Sequence, residues 1–396
     1  MVTSASLRAS SAQPVATALS IARGLHARGR LGCVVCPDFD AAGTGVPESC
    51  FRTPGAAVLR ATNALLARLG RLVPVAERRR SEEIFDRLVS RSDVWAGSES
   101  LLFLKPVFPR TAALARRRGA RIFALATIHH PAFNLERVTQ EQERRGLSRP
   151  TTYTDRKRVR DVTAFLASVD FLLTRAPGSE RTYRERGTPA QAIVPVGETG
   201  VDPDSFRPAP DPRPVEPFRV LHVSHMNLIK GLAYLFLAWK ELNLPGAELV
   251  LGGPMDEDVR QLLAEIDPPN VSLLGPLRDP RPEYQRAHVC VVPSISDMGP
   301  ATVLEAMACG TPVVVSDACG ASGILAPGRD GFVYRYDRVD ELGRALRAAY
   351  EDRERLAEMG REARQTALRH PRSDFSERVI AAIEAAAAPG GGPCAS

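Results

Sequence analysis

Five short apolar runs, PFRVLHVS, AELVLGG, NVSLL, HVCVVPS and PVVVSD, fall at helix-length intervals between residues 217 and 317. They constrain the fold more than any other feature of the chain. Strands that are apolar at nearly every position are buried on both faces, and their alternation with helices marks a parallel sheet. The intervening segments predict helices from Gly231 to Leu242, from Asp256 to Ile266, near 281–287, and from Ala301 to Ala308. The fold class is therefore α/β.

The first half repeats this pattern less cleanly. QPVATALSIARGLHARG reads as a helix ending in glycine and feeding the strand LGCVVCP. SLLFLKP, the helix PRTAALARRRG, ARIFALATIHH and VDFLLTR follow, with a charged helical stretch between 135 and 165. The first strand is short, which implies either a stunted strand or a start lying upstream. A chain of 396 residues exceeds one comfortable core, so two domains are expected. FRPAPDPRPVEP, with prolines at 208, 210, 212, 214 and 217, reads as a stiff linker between them. The expected division is a first domain 1–207, the linker 208–217, a second domain 218–372, a helix 373–387 packing back toward the first, and a disordered tail 388–396.

Charge separates the halves as well. Residues 1–210 carry 32 Lys and Arg against 20 Asp and Glu, a net of +12. The remainder carries 52−32=20 against 46−20=26, a net of −6, and the two sum to +6. The seven cysteines show no zinc spacing, and the C-x-x-C of GCVVCP lies in a predicted strand, where i and i+3 face opposite ways. Buried thiols in a reducing compartment are expected. No run of 18 apolar residues and no secretory signal is present in the sequence given, so a cytoplasmic protein is expected.

In a doubly wound sheet, ligands bind beyond the carboxyl ends of the strands. Three loops of the second half place suggestive residues there. In VSHMNLIKG, Ser224 and His225 follow the strand and Lys230 stands at the helix entrance, where a phosphate would balance both the ammonium and the helix dipole. In PSISDMGPATVLEAMACGTPVV, Asp297 and Glu305 stand eight positions apart across a helix start. The backbone at Pro300 and Ala301 could approach a phosphate, and Glu305 could accept two vicinal hydroxyls. In SDACGASG, glycines including Gly320 permit close approach to a ligand. Taken singly, Lys230 also reads as a solvated lysine, Asp297 as an N-cap and Glu305 as a surface residue.

Together, VSHMNLIKGLAYLFLAWKEL, AELVLGGP, PSISDMGPATVLEAMACGTPVVVSD and PGRDGFVY, with IVPVGETGVDPDSFRP before them, resemble the family-4 retaining glycosyltransferases, glycosyl transferases group 1. The resemblance implies a GT-B fold, two Rossmann-like doubly wound domains facing across a cleft. It implies transfer of a sugar, with retention, from a nucleotide-diphosphate sugar (a UDP- or GDP-sugar) to an acceptor hydroxyl, with no metal and no further cofactor. Lys230, helix N-termini and His225 would stabilise the leaving diphosphate, Glu305 would hold the ribose, and Asp297 would touch the transferred sugar. The leaving phosphate would deprotonate the acceptor.

In the first domain, ATIHHPAFN carries the histidine expected to approach that sugar, His130 by preference and His129 second. The chain departs from the family where Asp297 stands for Glu, where Met-Gly-Pro stands for Gly-Phe-Gly, and where His225 stands for Arg. Pro300 has no N–H, so one phosphate contact is lost or moves to Ala301. LRASSAQP lacks the family's glycine-rich first loop.

Basic clusters at 77–80, 116–118 and 155–161 suit either solvated helix faces or peripheral contact with an anionic membrane or a phosphorylated lipid acceptor. No aromatic platform or recognition motif accompanies them, so nucleic acid is not an expected partner. Competing readings are an epimerase or phosphorylase on the same fold, and a nucleotide-sugar-binding scaffold without turnover. A dinucleotide oxidoreductase is disfavoured, because no G-x-G-x-x-G follows a predicted strand.

Overall fold

The computed structural model of the chain describes residues 1–3, 7, 13–40, 44–70, 74–211 and 216–387. The tail 388–396, most of LRASSAQP and residues 212–215 of the proline-rich linker lie outside the described residues. Two compact units emerge. The first comprises Met1–Glu136, Pro150–Gly197 and the chain from Phe375, and the second comprises Arg137–Arg149 and Glu198–Asp374.

The first unit holds β1 (Val34–Val35), β2 (Phe51–Arg52), β3 (Ser100–Phe103), β4 (Arg121–Leu125), β5 (Phe171–Thr174) and β6 (Ile193–Pro195). β3 to β6 pair in chain order and β1 pairs with β2, all in parallel. Val2 bridges Val35 and Phe103, and Met1–Thr3 runs between β1 and β3, bonding to both. β1 is only two residues long and ends just ahead of Pro37, which has no N–H. Its flanking thiols are unbridged: Cys33 donates to the Val94 carbonyl at 3.3 Å, and burial pushes the Cys36 thiol up to about 12. The charged stretch resolves into two helices, Pro131–Arg145 and Arg156–Leu166, the second capped by Asp155, which accepts from the Lys157 and Arg158 amides.

The helix Arg372–Ala387 supplies Phe375, Val379 and Ile380 to the core of the first unit, against Ile21, Ala22 and Leu25 of the helix Gln13–Ala27. Arg378 Nε donates to the Val196 carbonyl at 2.6 Å, and Ser376 and Ser20 share a hydrogen bond of 2.7 Å.

The second unit holds β7 (Phe218–Val223), β8 (Ala247–Gly252), β9 (Val271–Gly275), β10 (Val289–Val292), β11 (Val313–Ser316) and β12 (Gly331–Tyr334). All pair in parallel, in the spatial order β12-β11-β10-β7-β8-β9. Alternate strand residues serve two cores. Val220, Leu249, Val289 and Val291 pack on the side of the helices Leu232–Leu242 and Val339–Glu351. Leu221, Val250, Cys290 and Val315 pack against Leu304 and Met307 of the helix Ala301–Ala308. Each such side chain stabilises by about 1.5–3 kcal/mol when fully buried. The strand order reverses between β7 and β10, which makes the loops after these two strands the walls of a crevice at the carboxyl edge of the sheet.

Candidate active site

Those two loops are locked together by backbone contacts. After β7, Leu228–Lys230 forms one tight turn, and Gly231, at φ 68°, opens the helix Leu232–Leu242. A Cβ on Gly231 would lie 1.9 Å from the Pro293 carbonyl oxygen, so the position demands glycine twice, for its dihedral and for its clearance. Ile295 donates its amide to the Ile229 carbonyl at 2.9 Å.

The result is an ion pair at the reversal point, in which Lys230 Nζ donates to Asp297 Oδ2 at 2.5 Å. The two side chains are 19% and 14% exposed. The sequence assigned these residues to separate groups of a ligand, and the structure joins them. The Asp297 carbonyl accepts from the Gly320 amide at 2.8 Å, which commits that amide within the protein.

Beyond Asp297 the chain passes through Gly299, at φ 154°, and Pro300, at the N-cap of the helix Ala301–Ala308. The first-turn amides of Ala301 and Thr302 precede the point at which a helix bonds its own carbonyls, and they carry its positive dipole end. A Cβ on Gly299 would lie 2.1 Å from Glu198 Oε2, so a third carboxylate, buried in the turn between Gly197 and Gly200, rests against this backbone. Glu198 lies in the quoted VGETGVD segment, yet spacing alone gives no sign that it reaches the site.

Glu305 lies one turn into that helix and is only 8% exposed. Tyr284 donates its phenolic proton to Glu305 Oε2 at 3.0 Å. Burial pushes the Glu305 carboxyl above its ordinary range, opposed by the Tyr284 hydrogen bond and the charge of Arg372. Glu305 is therefore an interior acid rather than a surface helix residue.

Ser224 is held from behind by His222, which is 1% exposed on β7. His222 Nδ1 lies 2.9 Å from the Val291 carbonyl and Nε2 lies 2.7 Å from Ser224 Oγ. A carbonyl only accepts, so Nδ1 carries the proton, Nε2 is bare, and the Ser224 hydroxyl donates to it. His225 turns outward, its Nε2 2.6 Å from Asp256 Oδ1 on the exposed surface.

His129 and His130 belong to the first unit, in the loop after β4. The His130 amide donates to Thr182 Oγ1 at 3.1 Å, and its Nδ1 accepts from the Ala132 amide at 3.2 Å. Its ring meets Tyr183 edge-on, and the His129 ring meets Phe133 in the same manner. Burial, then the charge of Arg186, lowers the His130 imidazole to about 4, and burial lowers that of His222 to about 4.

Both folded-state values lie below the ordinary 6.5 of an unfolded chain. The unfolded chain therefore takes up protons first as pH falls. Full stability is expected above about pH 6.5, with a progressive loss as pH falls toward 4. Urea midpoints measured between pH 7 and pH 4 should fall steadily. A flat profile would show that neither ring is held neutral.

The basic clusters of the first unit are laced with acids. Arg79 bonds Glu83 and Asp155 at 3.0 and 2.9 Å, Lys157 bonds Glu83 and Asp161, and Arg158 bonds Glu82 at 3.2 Å. Arg116 and Arg118 reach Asp170 and Asp93. Among the described residues, no helix is long and apolar enough to cross a membrane, and no three His, Cys, Asp or Glu side chains converge on a metal position.

Residues 206–366 match the family described as Glycosyl transferases group 1. The matched stretch lies within the second unit. The match spans β7 to β12 and the loops that carry Ser224, Lys230, Asp297 and Glu305. The D-inositol 3-phosphate glycosyltransferase of Gordonia bronchialis is 34% identical over 146 residues, 35% of this chain and 32% of that protein. The chain spans between about a third and a half of the length of such curated relatives, at 32%, 45% and 49%.

Among solved structures, a sucrose-phosphate synthase from Thermosynechococcus elongatus aligns over 97% of this chain and 98% of its own, with TM-score 0.70 and 16% identity. The Anabaena protein HepE, solved with UDP-glucose, aligns over 97% and 98%, with TM-score 0.67 and 15% identity. At these identities the likeness is one of fold, and the fold is GT-B, an α/β class with two Rossmann-like parallel-sheet domains.

Proposed function

We propose that the protein is a retaining glycosyltransferase that moves a sugar from a nucleotide-diphosphate sugar, a UDP-sugar, to an acceptor hydroxyl. The observation that carries this reading is the Lys230–Asp297 pair at the strand-order reversal, beside the start of the helix Ala301–Ala308. Lys230 and the amides of Ala301 and Thr302 bind the diphosphate and stabilise its charge as the glycosidic bond breaks. Asp297 accepts from a hydroxyl of the transferred sugar, and Glu305 accepts from the ribose. His130, neutral at pH 7, acts as a hydrogen-bonding group toward the sugar, and the departing phosphate takes the acceptor proton. UDP is favoured because a fold neighbour was solved with UDP-glucose.

The test is a thermal-shift series with UDP, GDP, ADP, TDP and CMP, with and without magnesium, followed by release of UDP from UDP-sugars in the presence of candidate acceptors. At 100 times its dissociation constant a ligand adds about 2.7 kcal/mol of stability. The expected result is stabilisation by UDP, lost in Lys230→Ala, and acceptor-dependent UDP release.

A second reading, a binding scaffold without turnover, is favoured by one observation. Lys230 is already neutralised by Asp297, while Pro300 offers no amide. Stabilisation by UDP without any release from UDP-sugars would select it.

A further inference from the structure

We propose that Tyr284 is a positioning residue for nucleotide binding: its hydroxyl fixes the Glu305 carboxylate so that Oε2 is held inward and Oε1 is left for a nucleoside hydroxyl. The proposal rests on the reading of Glu305 as the ribose-binding acid.

Tyr284 lies in the six-residue helix Arg281–Arg286 and is fully buried. Its carbonyl accepts from Thr311 Oγ1 at 2.6 Å and its ring packs against Phe206, so the phenol has one place to be. Burial pushes its hydroxyl far above the ordinary phenol range, and it therefore remains a donor at any working pH. A phenol has a single proton, and that proton goes to Glu305 Oε2 at 3.0 Å.

The other charged or titratable groups near Glu305 are Arg372, which favours its ionised form, and the buried thiol of Cys290 on β10, itself kept protonated by burial. No other neutral donor to this carboxylate is found among the described residues. Tyr284 thus supports both the orientation of the acid and its ionisation. Without it, a carboxyl already raised by burial would rise further, and ribose hydroxyls would lose their acceptor from the acid side of the pH scale upward.

The test is a cycle of Tyr284→Phe, Glu305→Gln and the double variant, read by UDP affinity and by KM and kcat for a UDP-sugar. Tyr284→Phe is expected to weaken UDP about tenfold at pH 7, the scale of one hydrogen bond to a charged group. The acid limb of its affinity profile should move to higher pH, with kcat within about twofold of wild type. In the Glu305→Gln background, the same change should cost little more.

Unchanged affinity in Tyr284→Phe, or an equal loss in both backgrounds, overturns the proposal while leaving Glu305 in its role. Unchanged affinity in Glu305→Gln removes the reading beneath it, and the proposal with it. Should Tyr284→Phe fail to fold, 3-fluorotyrosine at position 284 keeps the shape and gives a stronger donor. It should shift the acid limb to lower pH, and no shift, or a shift to higher pH, would count against Tyr284.

Discussion

Replacing Lys230 with alanine is expected to lower turnover by about two to three orders of magnitude, the scale of losing one charge-stabilising donor at a reacting centre. The structure adds a complication that the sequence does not announce. Asp297 is 14% exposed, and Lys230 is its ion-pair partner. Removing the lysine leaves a largely buried carboxylate without that partner, a change that can cost about 3–5 kcal/mol of stability. A slow enzyme could then simply be an unstable one.

Asp297→Asn in the Lys230→Ala background separates the two effects. The double variant should recover most of the thermal stability, because the stranded charge is gone. It should recover none of the turnover, because the diphosphate still lacks its cation. Turnover that returned along with stability would place Lys230 among the structural residues and shift the leaving-group role to the helix amides of Ala301 and Thr302.

Replacing Gly231 with alanine destabilises the second unit by at least about 3 kcal/mol, among the larger effects a single substitution produces. Two costs combine. An L-residue at φ 68° costs about 1–2 kcal/mol, and its Cβ would have to occupy a point 1.9 Å from the Pro293 carbonyl oxygen. That obstacle is backbone, so relief requires separating the loop after β7 from the loop after β10.

Gly343 provides the control. It lies within the helix Val339–Glu351, and a Cβ there meets only Leu242 at 4.0 Å. Gly343→Ala should stabilise by about 0.5–1 kcal/mol, through helix propensity alone. Chemical denaturation of the two variants should therefore give midpoints on opposite sides of wild type. A Gly231→Ala protein as stable as wild type would mean that the two loops are not rigidly joined.

Much of the second unit was legible because β8, β10 and β11 are almost wholly buried and so appear as unbroken apolar runs, whereas β9, at the edge of the sheet, leaves Leu273 and Leu274 exposed. The helix Ala301–Ala308 is found at its expected bounds, since Pro300 and the small residues around it mark its start. The site was legible only as separate loops. Lys230 and Asp297 stand 67 positions apart, and they meet because β7 and β10 are spatial neighbours, a matter of strand order that no local pattern encodes.

Tyr284 escaped notice for a related reason. A six-residue helix carries too little periodicity to show which of its side chains faces inward. In the first unit, the helices Ala56–Gly70 and Pro74–Arg91 escaped detection, the latter because its Arg and Glu residues dilute the apolar stripe that Phe85 and Val89 supply to the interior. The basic clusters could be read only as charge, because composition records the arginines without recording which carboxylates fold back onto them.

The helix Arg372–Ala387 closes the core of the first unit from the far end of the chain. That arrangement sets an order of events during synthesis. The six strands of the second unit are complete once Tyr334 has emerged from the ribosome, whereas the first unit waits for Phe375, Val379 and Ile380. The part made first is finished last. Until those residues emerge, the surface around Ile21 and Leu25 stays uncovered, the kind of transient apolar exposure that chaperones bind.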